Sequence, residues 1–146
     1  METQLNTEPV KKKIKLDFKD SKYATGRRKK SIAKVWLKKG SGIIHVNGKK
    51  MVDYFKKQNL QMSIFRPLTI VKREHDFDVR CSVKGGGLTG QAGAIILGIS
   101  RALVEFEPQL KPTLKKEKLT TRDSRAVERK KYGYRKARRS FLFSKR

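Results

Sequence analysis

The side chains that could do chemistry in this chain are its cations, and their spacing points to one kind of chemistry. Arg27, Arg28, Lys29 and Lys30 form an unbroken basic run. Arg129, Lys130, Lys131, Arg135, Lys136, Arg138 and Arg139 then follow with no carboxylate among them or after them, and Lys145 and Arg146 end the chain. Arg122 and Arg125 lead into that stretch. Clustered cations of this density neutralise phosphates and release their counterions, which makes a polyanion the natural partner. The planar arginine fork adds bidentate phosphate contacts and can stack on splayed bases. A net charge of +25 lies far beyond what solubility needs and is the mark of a chain that works against nucleic acid. Two separated basic elements, 27–30 and 122–146, imply that the partner is large. Tyr132, Tyr134, Phe141 and Phe143 interleave the second of them, either as stacking platforms or as packing between RNA helices.

Lys84-Gly85-Gly86-Gly87-Leu88-Thr89-Gly90-Gln91 is the other stretch with chemical meaning. It matches the spacing of a dinucleotide-binding fingerprint, but no second parallel strand ending in an acidic residue follows about twenty positions later. Two readings stay open. These are turn glycines, or they let amides at a helix N-terminus approach an RNA phosphate closely, with Lys84 beside them and Gly86, Gly87 and Gln91 at the contact. His45 and His75 lack ligands at metal spacing, apart from Glu74 and Asp76 beside His75, and read as solvated histidines. Cys81 is the single cysteine, so an internal disulfide and a cysteine-based zinc site are excluded, and its place on the apolar side of a strand makes it a core residue. No nucleophile-elbow pattern occurs. Neither an enzyme, nor a metal, a cofactor or a small-molecule substrate is expected.

The elements that must position these cations can be taken in order. Residues 1–21 are polar and aperiodic, a flexible N-terminal extension with nearly balanced charge. Residues 22–116 form a basic α+β domain. Ala33, Val35 and Leu37 alternate with Ile32, Lys34 and Trp36 as a strand. Lys38 to Gly42 is a hairpin loop, and Ile43–Val46 the returning strand, closed by the Asn47-Gly48 turn signal. A short helix is expected near Val52–Phe55, then strands at Leu68–Val71 and Asp76–Lys84. Gln91–Phe106 carries a helical apolar face, Pro108 stops it, and a second short helix follows around Gln109–Lys116. The expected fold is a four-stranded, mainly antiparallel sheet with helices packed on one face. Residues 117–146 are a basic C-terminal arm, with fourteen cations against three carboxylates from residue 115 onward and no period that specifies a buried face. Such an arm orders on binding, and its last eighteen residues, fully extended, reach roughly 60 Å.

No apolar run approaches the roughly 18 residues of a membrane span, and the arm has no amphipathic period to insert in a bilayer. The start lacks the apolar stretch of a secretory signal and the arginine-rich look of a transit peptide. Ser144-Lys145-Arg146 lacks the leucine of the peroxisomal address.

The motifs Tyr23-Ala-Thr-Gly-Arg-Arg-Lys29, Val46-Asn-Gly48, Gly85-Gly-Gly-Leu-Thr-Gly-Gln-Ala-Gly-Ala94, Gly98-Ile-Ser-Arg-Ala-Leu103, Leu119-Thr-Thr-Arg-Asp-Ser-Arg125, Lys136-Ala-Arg-Arg139 and Phe143-Ser-Lys-Arg146 occur in this order. As a series they resemble the family of ninth small-subunit ribosomal proteins, in its bacterial and organellar branch, from about residue 22 to the end. The resemblance implies a domain of the ribosomal-protein-five second-domain type, packed on small-subunit rRNA in the subunit head near other head proteins. It also implies an arm threaded through rRNA, so that Ser144, Lys145 and Arg146 reach peptidyl-site tRNA. The rRNA contacts expected on this basis are Arg27, Arg28, Lys29, Lys30, Lys84, Gly86, Gly87, Gln91, Arg122, Arg125, Arg129, Lys130, Lys131, Arg135, Lys136, Arg138 and Arg139. Two motifs depart from the family pattern: Lys118 and Thr120 stand in its usual Gly-Leu-Leu-Thr-Arg-Asp, and Leu142 stands where glutamine usually precedes Phe-Ser-Lys-Arg.

The function expected is that of a structural, rRNA-binding and tRNA-contacting component of a small ribosomal subunit. The alternative is a free protein that coats RNA or DNA non-specifically. Heavy use of Lys over Arg favours an AT-rich, mitochondrial source, with a bacterial cytoplasm as the other option.

Overall fold

The computed structural model of the protein describes residues 19–143. The tRNA-contacting tip expected at Ser144–Arg146 and most of the N-terminal extension lie outside the described residues. Five strands are present: β1 Lys22–Arg28, β2 Ser31–Lys39, β3 Ile44–Val46, β4 Lys49–Lys50 and β5 Phe77–Lys84. The helices are α1 Met51–Tyr54, α2 Gln58–Val71, α3 Leu88–Phe106 and α4 Lys111–Lys116, with one 3-10 turn at Pro108–Leu110. The sheet runs β1-β2-β5-β3-β4. All neighbours are antiparallel except β3 and β5, which are parallel. It is an α+β fold with a five-stranded mixed sheet, not the four-stranded, mainly antiparallel one expected.

β2 and β5 form the centre because both alternate strictly. Ala33, Val35 and Leu37 pair with Val83, Cys81 and Val79, and all of them are buried under the helices. α3 lies across β1 and β2 and carries Ile95, Ile99, Ala102 and Leu103 into the core, while α2 packs beside α3 and contributes Ile64 and Leu68. The helices therefore cover one face of the sheet, and Trp36, Arg80 and Tyr23 stand on the other.

Three expectations need correction. Lys22–Arg28, to which the sequence assigns no element, is β1, an edge strand. Its inward positions are Ala24 and Gly26, small because α3 rests directly on them: a Cβ at Gly26 would sit 1.8 Å from the Ala94 carbonyl oxygen. With no bulky inward side chain, no apolar alternation is visible. Ile43–Val46 does not return along β2. Its strand, β3, pairs with β5 in parallel, after a crossover through β4, α1 and α2, and the Asn47-Gly48 turn joins β3 to β4 instead. Leu68–Val71 is the end of α2, not a strand. Leu60, Ile64, Leu68 and Val71 share one helical face, which a four-residue window cannot display, and the helix keeps Pro67 buried despite the lost N–H.

Candidate nucleic-acid interface

The two chemically suggestive motifs meet at one end of the sheet. Arg28 pairs with Ser31, so Lys29 and Lys30 are the two-residue turn of the β1–β2 hairpin, with Lys29 left-handed at φ 52°. Gly85–Gly87 follows β5, the neighbour of β2, and so emerges beside that turn. Gly85 and Gly86 have φ of 76° and 62°, and a Cβ on either would collide with Lys30 O at 2.6 Å or Ser31 Oγ at 2.2 Å. These two glycines are needed by the turn itself. At Gly87 the fold makes no such demand: its φ is −105°, and among the described residues no heavy atom lies within 4 Å of where its Cβ would be. Gly87 is also the N-cap of α3, so the start of this 19-residue helix, where Leu88 and Thr89 are exposed, has no side-chain cap for its first amides.

A polar network fixes this loop. Ser31 Oγ donates to Gly85 O at 3.0 Å, and Gln91 Nε2 donates to the same oxygen at 3.2 Å. Tyr54 Oη donates to Gln91 Oε1 at 2.8 Å. Gln91 is thus buried with its amide engaged inside the protein, where it positions the loop. Just before the loop, Asn47 acts as an extra rung of the sheet: its Nδ2 donates to Val83 O at 3.0 Å, and its Oδ1 accepts from Val83 N at 2.8 Å. Ser31, Asn47 and Tyr54 escaped sequence reasoning as positioning residues. Only the Asn-Gly pair gave a signal, and it signalled a turn.

The arm starts at the same end. α4 finishes with Leu119 N–H donating to Leu114 O at 3.1 Å and Lys118 N–H donating to Lys115 O at 3.0 Å, with Lys118 left-handed at φ 56°. Leu119 is buried in the core and anchors the exit. Arg28 crosses over Gly93, where a Cβ would stand 2.3 Å from its Cδ, and donates to Asp123 Oδ2 at 3.2 Å. Arg125 also binds Asp123. Hydrogen bonds from the Arg125 side chain and backbone, helped by the charges of Arg125 and Arg28, outweigh an opposing desolvation and hold the Asp123 carboxyl well below the usual range. A cleft of about 380 Å³ opens here, lined in part by Arg27, Arg28, Thr89, Lys118 and Asp123.

Residues 117–143 contain no helix or strand. The arm is not featureless, however. Glu128 accepts from Lys131 Nζ at 3.0 Å and from Arg138 Nε at 2.9 Å, Arg135 N–H donates to Arg139 O at 2.7 Å, and the Arg135 guanidinium lies 5.2 Å from the Phe141 ring centre. This bends 128–141 back on itself, where an extended arm that orders only on binding was expected. Arg122, Arg125, Arg129, Lys130, Arg135, Lys136, Arg138 and Arg139 are exposed and Lys131 half-buried. So are Lys84 and the hairpin residues Arg27, Lys29 and Lys30, with Arg28 half-buried. Tyr132, Phe141, Leu142 and Phe143 are also exposed, without a hydrophobic home on the domain. All three carboxylates of the segment, Glu117, Asp123 and Glu128, are held in ion pairs.

Elsewhere, burial pushes the Cys81 thiol far above its ordinary range, which leaves no reactive thiolate. Among the described residues no group of three metal-ligating side chains comes together. Among the described residues no helix is long and apolar enough to cross a membrane. The family model described as ribosomal protein S9/S16 matches residues 26–146, which takes in the hairpin turn, the glycine loop and the whole arm.

Proposed function

The chain belongs to the ribosomal protein S9/S16 family, and from that premise we propose that it is a structural, non-catalytic component of the small-subunit head that holds small-subunit rRNA at the end of its sheet and extends its arm to peptidyl-site tRNA. One observation carries this reading: the hairpin cations, the glycine loop with its open helix N-terminus, and the root of the arm converge on one edge, while the arm's own carboxylates are already engaged. Phosphates meet Arg27–Lys30, Lys84 and the amides beyond Gly87, and the exposed cations of 122–139 continue the track. The exposed aromatic residues of the arm gain cover only among bases and sugars. Ser144, Lys145 and Arg146, at the arm's end, are assigned the tRNA contact, and other head proteins are the neighbouring partners. The preference for lysine over arginine favours a mitochondrial ribosome over a bacterial one, and sequencing the co-purifying rRNA decides between them.

The test is a chain lacking Ser144–Arg146. It should fold and enter the subunit as the full chain does, yet the subunit should retain peptidyl-site tRNA less well. Equal tRNA retention would remove the tip from the mechanism. Replacing Arg27–Lys30 by alanine should instead impair incorporation into the subunit.

A further inference from the structure

The face of the sheet opposite the helices carries a row that none of the preceding contacts uses. Strand register aligns Tyr23 of β1 with Trp36 of β2, Trp36 with Arg80 of β5, and Arg80 with His45 of β3. The first three touch. The rings of Tyr23 and Trp36 lie 5.4 Å apart, tilted by 44°, and the Arg80 guanidinium sits 5.7 Å from the centre of the Trp36 ring. Tyr23 is 42% exposed, high for an aromatic ring in a strand. Alongside run exposed Lys34, paired with Ser82, and exposed Lys84, paired with Ile32, which together line a shallow hollow of about 90 Å³. The only carboxylate on β1, β2 or β5 is Asp78, and it is occupied by the loop after β2, accepting from the backbone N–H groups of Ser41 and Ile43.

This pattern of a cationic sheet face with an aromatic row matches a single-stranded polyanion with flat bases. An apolar protein surface would leave the exposed Lys34 and Lys84 against it without carboxylates. We propose that the helix-free face is a second RNA surface, which takes an unpaired nucleotide by stacking its base on the Tyr23–Trp36–Arg80 row while Lys34 meets an adjoining phosphate, with Lys84 at the corner where this face joins the first site. The inference rests on the ribosomal reading for its choice of RNA over DNA. It adds a contact on the face opposite α3, so the domain is held from two sides and an rRNA loop, not a duplex, is the occupant of this one.

Trp36 is the sole tryptophan, so its emission reports on this face alone. The full chain is titrated with single-stranded oligoadenylate and with the same strand annealed to oligouridylate, and binding is followed in parallel by gel shift. Saturable quenching of Trp36 by the single strand, and much less by the duplex, is expected. Tyr23→Ala should weaken the quenching affinity roughly ten-fold. The variant Lys34→Gln, which leaves the first site untouched, should lower the salt slope by about 0.7 if its ammonium touches a phosphate. Far-UV spectra of both variants verify that they fold. RNA bound in the gel with Trp36 emission unchanged would overturn the inference and leave the family reading intact, with a protein as the occupant of this face. Equal quenching by heparin would overturn it too, reducing the face to plain charge. Absence of any RNA binding would sink both readings.

Discussion

Lys118 occupies the position that ends α4 and launches the arm, and its backbone is left-handed at φ 56°. The two hydrogen bonds there, Leu119 to Leu114 and Lys118 to Lys115, make a 6→1 and 5→2 pair in which this position is usually glycine. A residue with a Cβ held in that region costs about 1–2 kcal/mol. Glycine relieves this but adds about 0.4–1 kcal/mol of unfolded-chain entropy. The net expectation for Lys118→Gly is a gain of about 0.5–1 kcal/mol, or about 3–5 °C in melting temperature for a domain of this size. α2 ends in the same way, with Lys72 at φ 57° and Arg73 N–H donating to Leu68 O at 3.0 Å, so Lys72→Gly should add a similar amount. The two caps share no hydrogen-bond partner, which makes their effects additive. The assay is urea unfolding followed through the single tryptophan, with Lys118→Ala as the control: it removes the charge but keeps the Cβ, so it should change little. A gain with alanine equal to that with glycine would assign the effect to charge, and a loss with glycine would refute the geometric account of the arm's exit.

Three further outcomes are expected. Asn47→Ala strips the Val83 N–H and C=O of their side-chain partners and leaves a Cβ residue without asparagine's tolerance at φ 51°, so it should destabilise by roughly 3 kcal/mol in the same urea assay, with Asn47→Asp losing less. Gly87→Ser supplies the cap that α3 lacks and meets no steric obstacle; its stability should hold or rise slightly while RNA affinity in a filter-binding assay falls, because the hydroxyl then competes for the helix amides. Asp78 is partly desolvated, which raises its pKa, but the hydrogen bonds from Ile43 and Ser41 outweigh this and hold it below the ordinary 3.8. Its contribution is therefore complete above that value and is lost as pH falls below it, so the stability gap between wild type and Asp78→Asn should close on acidification.

What the sequence disclosed follows from which residues face the core through their own bulk. β2, β5 and α3 carry large apolar side chains at the periods of strand and helix, and they were legible. β1 was hidden because contact with α3 requires Gly26 and Ala24 to be small, and small residues leave no pattern. The parallel pairing of β3 with β5 depends on a long crossover, which no local window contains. At the candidate interface, the charged residues were visible from composition, yet their convergence was not: only the order of the strands brings Arg27–Lys30 beside Gly85–Gly87. Gln91 shows the limit most clearly. Its place beside a glycine loop resembles a contact residue, and the fold turns its amide inward to Tyr54 and Gly85. Glu128, the last carboxylate before the basic run, gave no hint that it would bend the arm around itself.

The central claim is most directly tested by sedimenting the tagged full chain with its native ribosomes through a high-salt gradient. On the proposed reading the chain should travel with the small subunit and stay there, because distributed phosphate contacts and the arm would have to be released together. A chain that washes into the free fraction, and that binds duplex DNA as tightly as RNA, would contradict the account.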